Sequence, residues 1–196
     1  MHPQVSAPAS LREVLRSSTA AAHAALDDAL APPTVRWTRE RYVAFLQGTL
    51  AVVSAAEPAV AAVLPDFALC HAPTRTKRLR DDLVALGVET LAPPSSAFPR
   101  LASAAAAWGA AYVLEGSQLG GRVIARQVAE ALPVGDEALH YLRPAGVAAG
   151  ERWKAFVAAL DGFGARAAER DRRVASAWAS HTFAAFEAAF RDEGLI

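Results

Sequence analysis

The stretch from Trp108 to Ala131, WGAAYVLEGSQLGGRVIARQVAEA, constrains this chain more than any other. It reads as one helix, yet it carries Gly109, Gly116, Gly120 and Gly121. Each costs about 1 kcal/mol relative to alanine in a helix interior, and alanine is the residue this chain uses most freely elsewhere. At about 3.6 residues per turn, Gly109, Tyr112, Gly116 and Gly120 fall on one face. That face is almost bare backbone with a single aromatic on it. Two readings follow. Something flat or bulky lies against the backbone, or the small-xxx-small spacing of Gly116 and Gly120 packs a second helix closely. Spacing alone does not choose between them.

The rest of the composition bounds the answer. The chain has 196 residues, 53% of them hydrophobic, which suits one globular domain with a substantial core. Lys plus Arg and Asp plus Glu are 20 each, so there is no electrostatic footprint for nucleic acid or an anionic membrane. The lone cysteine, Cys70, excludes a disulfide framework and fits a reducing, cytoplasmic setting. The opening MHPQVSAPAS has neither the basic nor the apolar region of a signal peptide. No apolar run in the sequence approaches a membrane span. Residues 1–9 read as a flexible tail and 10–196 as the folded domain.

Taken in order, the domain is helical throughout. Ser10 and Glu13 form a capping box that opens a helix to about Leu30, with Leu11, Leu15, Ala22, Leu26 and Leu30 as its apolar stripe, before Pro32-Pro33. Thr38 caps a second helix, bent or restarted at Pro58 and ending near Leu64. Thr74 opens a short basic helix closed by Gly87. The glycine-bearing helix is expected from about Phe98 to Leu132. A turn of helix at 136–141, a helix from Glu151 to Asp161-Gly162 and a last helix over 165–191 complete the chain. No strand alternation, hairpin turn or repeat is visible. The expectation is an all-α bundle of six to eight helices.

Among the residues that could carry chemistry, His23 stands mid-helix between alanines. Asp27, four residues on, can accept from Nδ1–H, fix the tautomer and leave Nε2 for a metal. Arg16, two turns back on the same face and about 10 Å along the axis, is placed to hold a carboxylate at the edge of a large ligand. The simpler reading of His23 is a surface or core histidine, and that of Asp27 and Arg16 a solvated helix face. Glu137 and His140 make one ExxH, and a di-iron bundle needs two, so this one reads as chance. Cys70-His71 lacks zinc spacing. No GxSxG, GxGxxG or Walker motif is present.

His23 on the first helix, with YVLEGSQLGG at 112–121, resembles the heme oxygenase family, and most of all its bacterial biliverdin-forming type, found with bacteriophytochromes. LREVLRSSTAAAHAALDDAL, YVLEGSQLGG and ERWKAFVAALDGF occur in the family's order and span most of residues 10–190. The resemblance implies a heme sandwiched between a proximal and a distal helix. His23 is then the iron ligand. Gly116, Ser117, Gly120 and Gly121 form the distal surface, where missing side chains admit the porphyrin and only a small ligand. Heme b is both cofactor and substrate, dioxygen is the co-substrate, and the products are biliverdin, carbon monoxide and iron. Arg16 and Lys154 match basic positions near the heme propionates. Tyr112 lies one residue from a heme-edge tyrosine of some relatives, and Phe183 and Phe186 are candidates for the pocket wall.

One departure bears on turnover. Mammalian-type members have an aspartate directly after the first distal glycine, where it organises water. Here that residue is Ser117, a weaker anchor, as in bacterial relatives with EGS. Gln118 and ordered water are possible substitutes. The alternative reading is therefore a heme- or biliverdin-binding protein of the same fold that does not turn over. Nothing in the chain binds flavin or nicotinamide, so the enzyme reading implies a separate electron donor, a ferredoxin or a reductase. A bacteriophytochrome as recipient of the product rests on the resemblance alone.

Overall fold

The computed structural model describes residues 9–30, 36–65, 74–143 and 149–196. The expected tail up to residue 8, Pro32-Pro33 and Cys70-His71 lie outside them. Among the described residues six helices form the frame: α1 (Leu11–Leu30), α2 (Arg39–Ala61), α3 (Arg75–Ala85), α4 (Ala104–Ala131), α5 (Ala149–Gly164) and α6 (Glu169–Asp192). A short 3₁₀ turn at Asp136–Ala138 follows α4. No strand occurs among the described residues.

Local chemistry sets most of the helix ends. The Glu13 carboxylate accepts from Ser10 N–H and the Ser10 hydroxyl from Glu13 N–H, the reciprocal box expected for α1. Thr38 and Thr74 cap α2 and α3. Gly87 closes α3 with φ +70°, a conformation costly for other residues. α4 begins six residues later than the expected Phe98. Ser103 accepts from Ala106 N–H, and this cap outweighs the apolar run before it. α6 likewise starts at Glu169, where the Asp171 side chain accepts from Ala168 N–H. α2 continues through Pro58 to Ala61 instead of restarting. By length and composition α2 is able to cross a membrane, but 61% of its apolar window is buried inside the bundle.

α6 is the hub. It packs against α4, α1 and α2, while α1 and α4 scarcely meet each other. The α4–α6 crossing is close because Gly109 lacks a side chain: a Cβ there would stand 2.1 Å from the Ala175 carbonyl oxygen. Gly48 does the same for α2 on α6, beside Phe190. Arg41 donates to the carbonyls of Ala29 and Leu30, satisfying the C-terminal end of α1. A buried cluster ties α2, α3 and α4 together. Fully buried Arg75 meets Glu115 at 2.5 Å and Glu57 at 3.6 Å, and Glu57 also accepts from the Arg75 and Thr76 amides. Two helices thus rest on α6 with a space between them.

Candidate active site

That space is a cavity of about 390 Å³, within the range of small-molecule and cofactor sites. Thr19, His23, Leu26, Asp27 and Leu30 of α1 form one wall. Tyr112, Val113, Gly116, Ser117, Leu119, Gly120, Gly121 and Ile124 of α4 form the other. Phe183, Phe186 and Phe190 of α6, with Phe45 and Thr49 of α2, make the inner end. Trp153 of α5 and the pair Tyr141-Leu142 complete it. The structure therefore brings His23 and three glycines of the long helix, Gly116, Gly120 and Gly121, to one cavity.

The His23 ring is held on one side. Its Nδ1 is 2.9 Å from Asp27 Oδ2, which fixes Nδ1 as the protonated atom and leaves the Nε2 lone pair as the coordinating one. Phe183 stands edge-on to the ring at 5.7 Å. The imidazole is 61% exposed and is part of the cavity lining.

The glycines of α4 divide into two kinds. At Gly120 an added Cβ would meet no heavy atom within 4 Å, and at Gly116 only the Trp153 ring at 4.0 Å. These two face the cavity, and among the described residues no helix backbone packs on their small-xxx-small pair. Gly109 serves the α6 crossing. Gly121 lies against Leu142, whose carbonyl oxygen would be 3.3 Å from a Cβ, so it brings the Tyr141-Leu142 segment up to the helix. Ser117 donates to the Leu114 carbonyl at 2.9 Å. Gln118 is buried but is not part of the cavity wall.

Tyr112 is half-buried, with the Trp153 ring 5.8 Å away. Burial raises its phenol pKa, while the charges of Arg12 and Arg16 on α1 pull it down. Those two arginines stand one turn apart on α1, close enough for their charges to act on Tyr112 but outside the cavity lining. Arg16 is exposed and outside the wall itself, and so is Lys154. Sequence reasoning missed Tyr141, Trp153, Thr49 and Arg12. Arg12 was within reach, being one turn before Arg16 on the same face. The others reach the cavity only through tertiary packing.

Tyr141 is buried deeply enough to raise its phenol pKa, with Ser117 as a hydrogen-bonding neighbour. Its backbone is anchored from behind by Asp82 of α3. Oδ1 accepts from His140 N–H at 2.8 Å and Oδ2 from Tyr141 N–H at 2.9 Å. The His140 ring closes on the same carboxylate, Nδ1 to Oδ1 at 3.2 Å. Burial outweighs these donors and pushes the Asp82 carboxyl up to about 6. Among the described residues no three His, Cys, Asp or Glu side chains converge to hold a bare metal ion. Any metal bound at His23 has to bring most of its own ligands.

The described residues form a helical domain with a histidine facing a glycine-floored, aromatic-walled cavity between two helices, the class of protein that takes a small organic ligand in a helical bundle. The heme oxygenase family model matches residues 9–192. A heme oxygenase of Xanthomonas campestris pv. campestris (strain 8004) is 42% identical over 125 residues, covering 58% of this chain and 69% of that protein. The NO- and CO-bound heme oxygenase of Neisseria meningitidis shares the fold, with a TM-score of 0.77 over 95% of this chain and 92% of that one, at 23% identity. The chain belongs to the heme oxygenase family. It is an enzyme of heme cleavage.

Proposed function

We propose that heme b lies in the cavity between α1 and α4, coordinated through His23 Nε2 and backed by Gly116 and Gly120. The observation that carries this reading is the pairing of the two walls. A histidine with its Nδ1 occupied faces a helix whose Cβ positions at 116 and 120 are free space. The bound heme supplies the redox-active iron and is itself the ring that dioxygen opens to biliverdin, with release of carbon monoxide and iron.

The chain's own residues do the rest. Asp27 orients the imidazole and strengthens it as a donor. The bare backbone of α4 admits the macrocycle and restricts its other face to a small ligand. Phe45, Phe183, Phe186 and Trp153 exclude water from the ring edges. Arg12 and Arg16, whose charges act on Tyr112, are the cations placed for the propionates. Lys154, exposed on α5, joins them on the strength of the family resemblance, as does Tyr112 at the ring edge. Ser117 and Gly121 shape the distal wall, Gly121 by letting Leu142 approach.

Electrons come from a separate ferredoxin or reductase in a cytoplasmic setting, and a bacteriophytochrome is a recipient for the product. The test is a hemin titration of wild-type protein beside Gly120→Phe. Stoichiometric binding with a sharp Soret band in the first, and loss of at least about tenfold in affinity in the second, is the expected result. Equal binding by both places the heme elsewhere.

A further inference from the structure

The hydroxyls that line the cavity are not equivalent. Thr19 donates to Leu15 O at 2.8 Å, Thr49 to Phe45 O at 2.6 Å and Ser117 to Leu114 O at 2.9 Å. All three protons are committed to carbonyls of their own helices. Two phenols remain, and Tyr112 stands beside the charges of Arg12 and Arg16. Tyr141 lines the cavity but is only 3% exposed, with Ser117 of α4 as a hydrogen-bonding neighbour and the charges of Arg75, Arg78 and Glu57 around its phenol. Ser117 can therefore accept from the Tyr141 phenol but has no proton of its own to offer. The segment bearing Tyr141 is held on both sides, by the two Asp82 hydrogen bonds behind it and by the close contact of Leu142 with Gly121 in front.

We infer that Tyr141 is the hydrogen-bond donor to a small oxygen ligand on the α4 side of the heme, and that Asp82 is the positioning residue that aims it. This rests on the heme reading above. With a ligand present the phenol proton turns to the cavity. Burial, which keeps the phenol protonated, suits it to donate. The position that sequence comparison leaves without a carboxylate is thus served from another segment, across the cavity wall.

The experiment is an optical pH titration of the ferric heme complex in wild type, Tyr141→Phe, Asp82→Asn and the double variant. A donor to the iron-bound water site favours its deprotonated form, so Tyr141→Phe raises the acid–alkaline midpoint by roughly 0.5 to 1 pH unit, the size of one hydrogen bond. Asp82→Asn, whose amide N–H₂ cannot accept the second backbone N–H, gives a rise of the same sign. The double variant goes no further than Tyr141→Phe, which a merely structural Asp82 would not produce. If Asp82→Asn does not fold, Asp82→Glu displaces the carboxylate by one methylene and gives the same sign at smaller size. Normal hemin binding with an unmoved or lowered midpoint in Tyr141→Phe overturns the donor role alone. Additive shifts overturn the role of Asp82. Failure of wild type to bind hemin overturns the heme reading and this inference with it.

Discussion

Asp27 Oδ2 stands 2.9 Å from His23 Nδ1, one turn along α1, and this contact decides which ring nitrogen of His23 is available to a metal. Replacing His23 by alanine removes the ligand without touching the core, because the side chain is 61% exposed. We expect hemin affinity to fall by more than about 100-fold, with loss of the histidine-ligated spectrum, while Asp27→Asn weakens ligation less, by about tenfold, the low end of the range for outer-sphere partners. An unchanged Soret spectrum in His23→Ala contradicts the assignment.

Gly109 and Gly120 lie eleven residues apart on one helix face, yet substitution at the two has opposite consequences. A Cβ at Gly109 would collide with the Ala175 backbone at 2.1 Å, so Gly109→Ala costs about 1–3 kcal/mol in overpacking. A Cβ at Gly120 meets nothing within 4 Å, so Gly120→Ala stabilises the heme-free protein by up to about 1 kcal/mol through helix propensity. Denaturant unfolding of the two variants reads both signs. Equal destabilisation would mean that Gly120, too, is a packing glycine.

Glu115 is the nearest carboxylate to fully buried Arg75. Truncating it to alanine leaves much of a buried guanidinium charge uncompensated, at a cost of about 3–5 kcal/mol. The loss should register as a lower denaturation midpoint with an unaltered slope. A change below about 1 kcal/mol would make this an ordinary surface pair.

Asp82 gives a pH signature. Its carboxyl is pushed up to about 6 in the folded protein, against about 3.9 in an unfolded chain. Between those values the folded state holds a proton that the unfolded state has released. This group's contribution to stability is therefore greatest at low pH, falls as pH rises through about 6, and is flat above. Subtracting the stability profile of Asp82→Asn from that of wild type isolates the effect. A difference profile with no slope between about pH 4 and 6 contradicts it.

Much of this arrangement is legible in the sequence because it is local. The capping box at Ser10 and Glu13, the threonine caps and Gly87 mark helix ends through contacts three or four residues apart. His23 with Asp27 is likewise an i, i+4 pair. The glycines of α4 announce that something approaches the backbone, but not what. Gly109 and Gly120 share a helix face and differ only in which part of the fold lies opposite. The expected start of α4 at Phe98 fails for a local reason that was present but outweighed, the Ser103 cap. Glu115 reads as one letter of a motif until its partner Arg75, forty residues earlier, is brought beside it by the packing of α3 on α2. Tyr141 was invisible for the same reason, since its place in the wall depends on Asp82 and Gly121, neither near it in the chain.

On this reading the cavity holds heme as a substrate. The most direct test is to load purified protein with one equivalent of hemin and add an external electron donor in air, with catalase present. We predict that the Soret band decays to the broad red absorption of biliverdin, with release of iron and carbon monoxide. A Soret band that persists through many equivalents of electrons would contradict the account and leave a protein that binds heme without opening it.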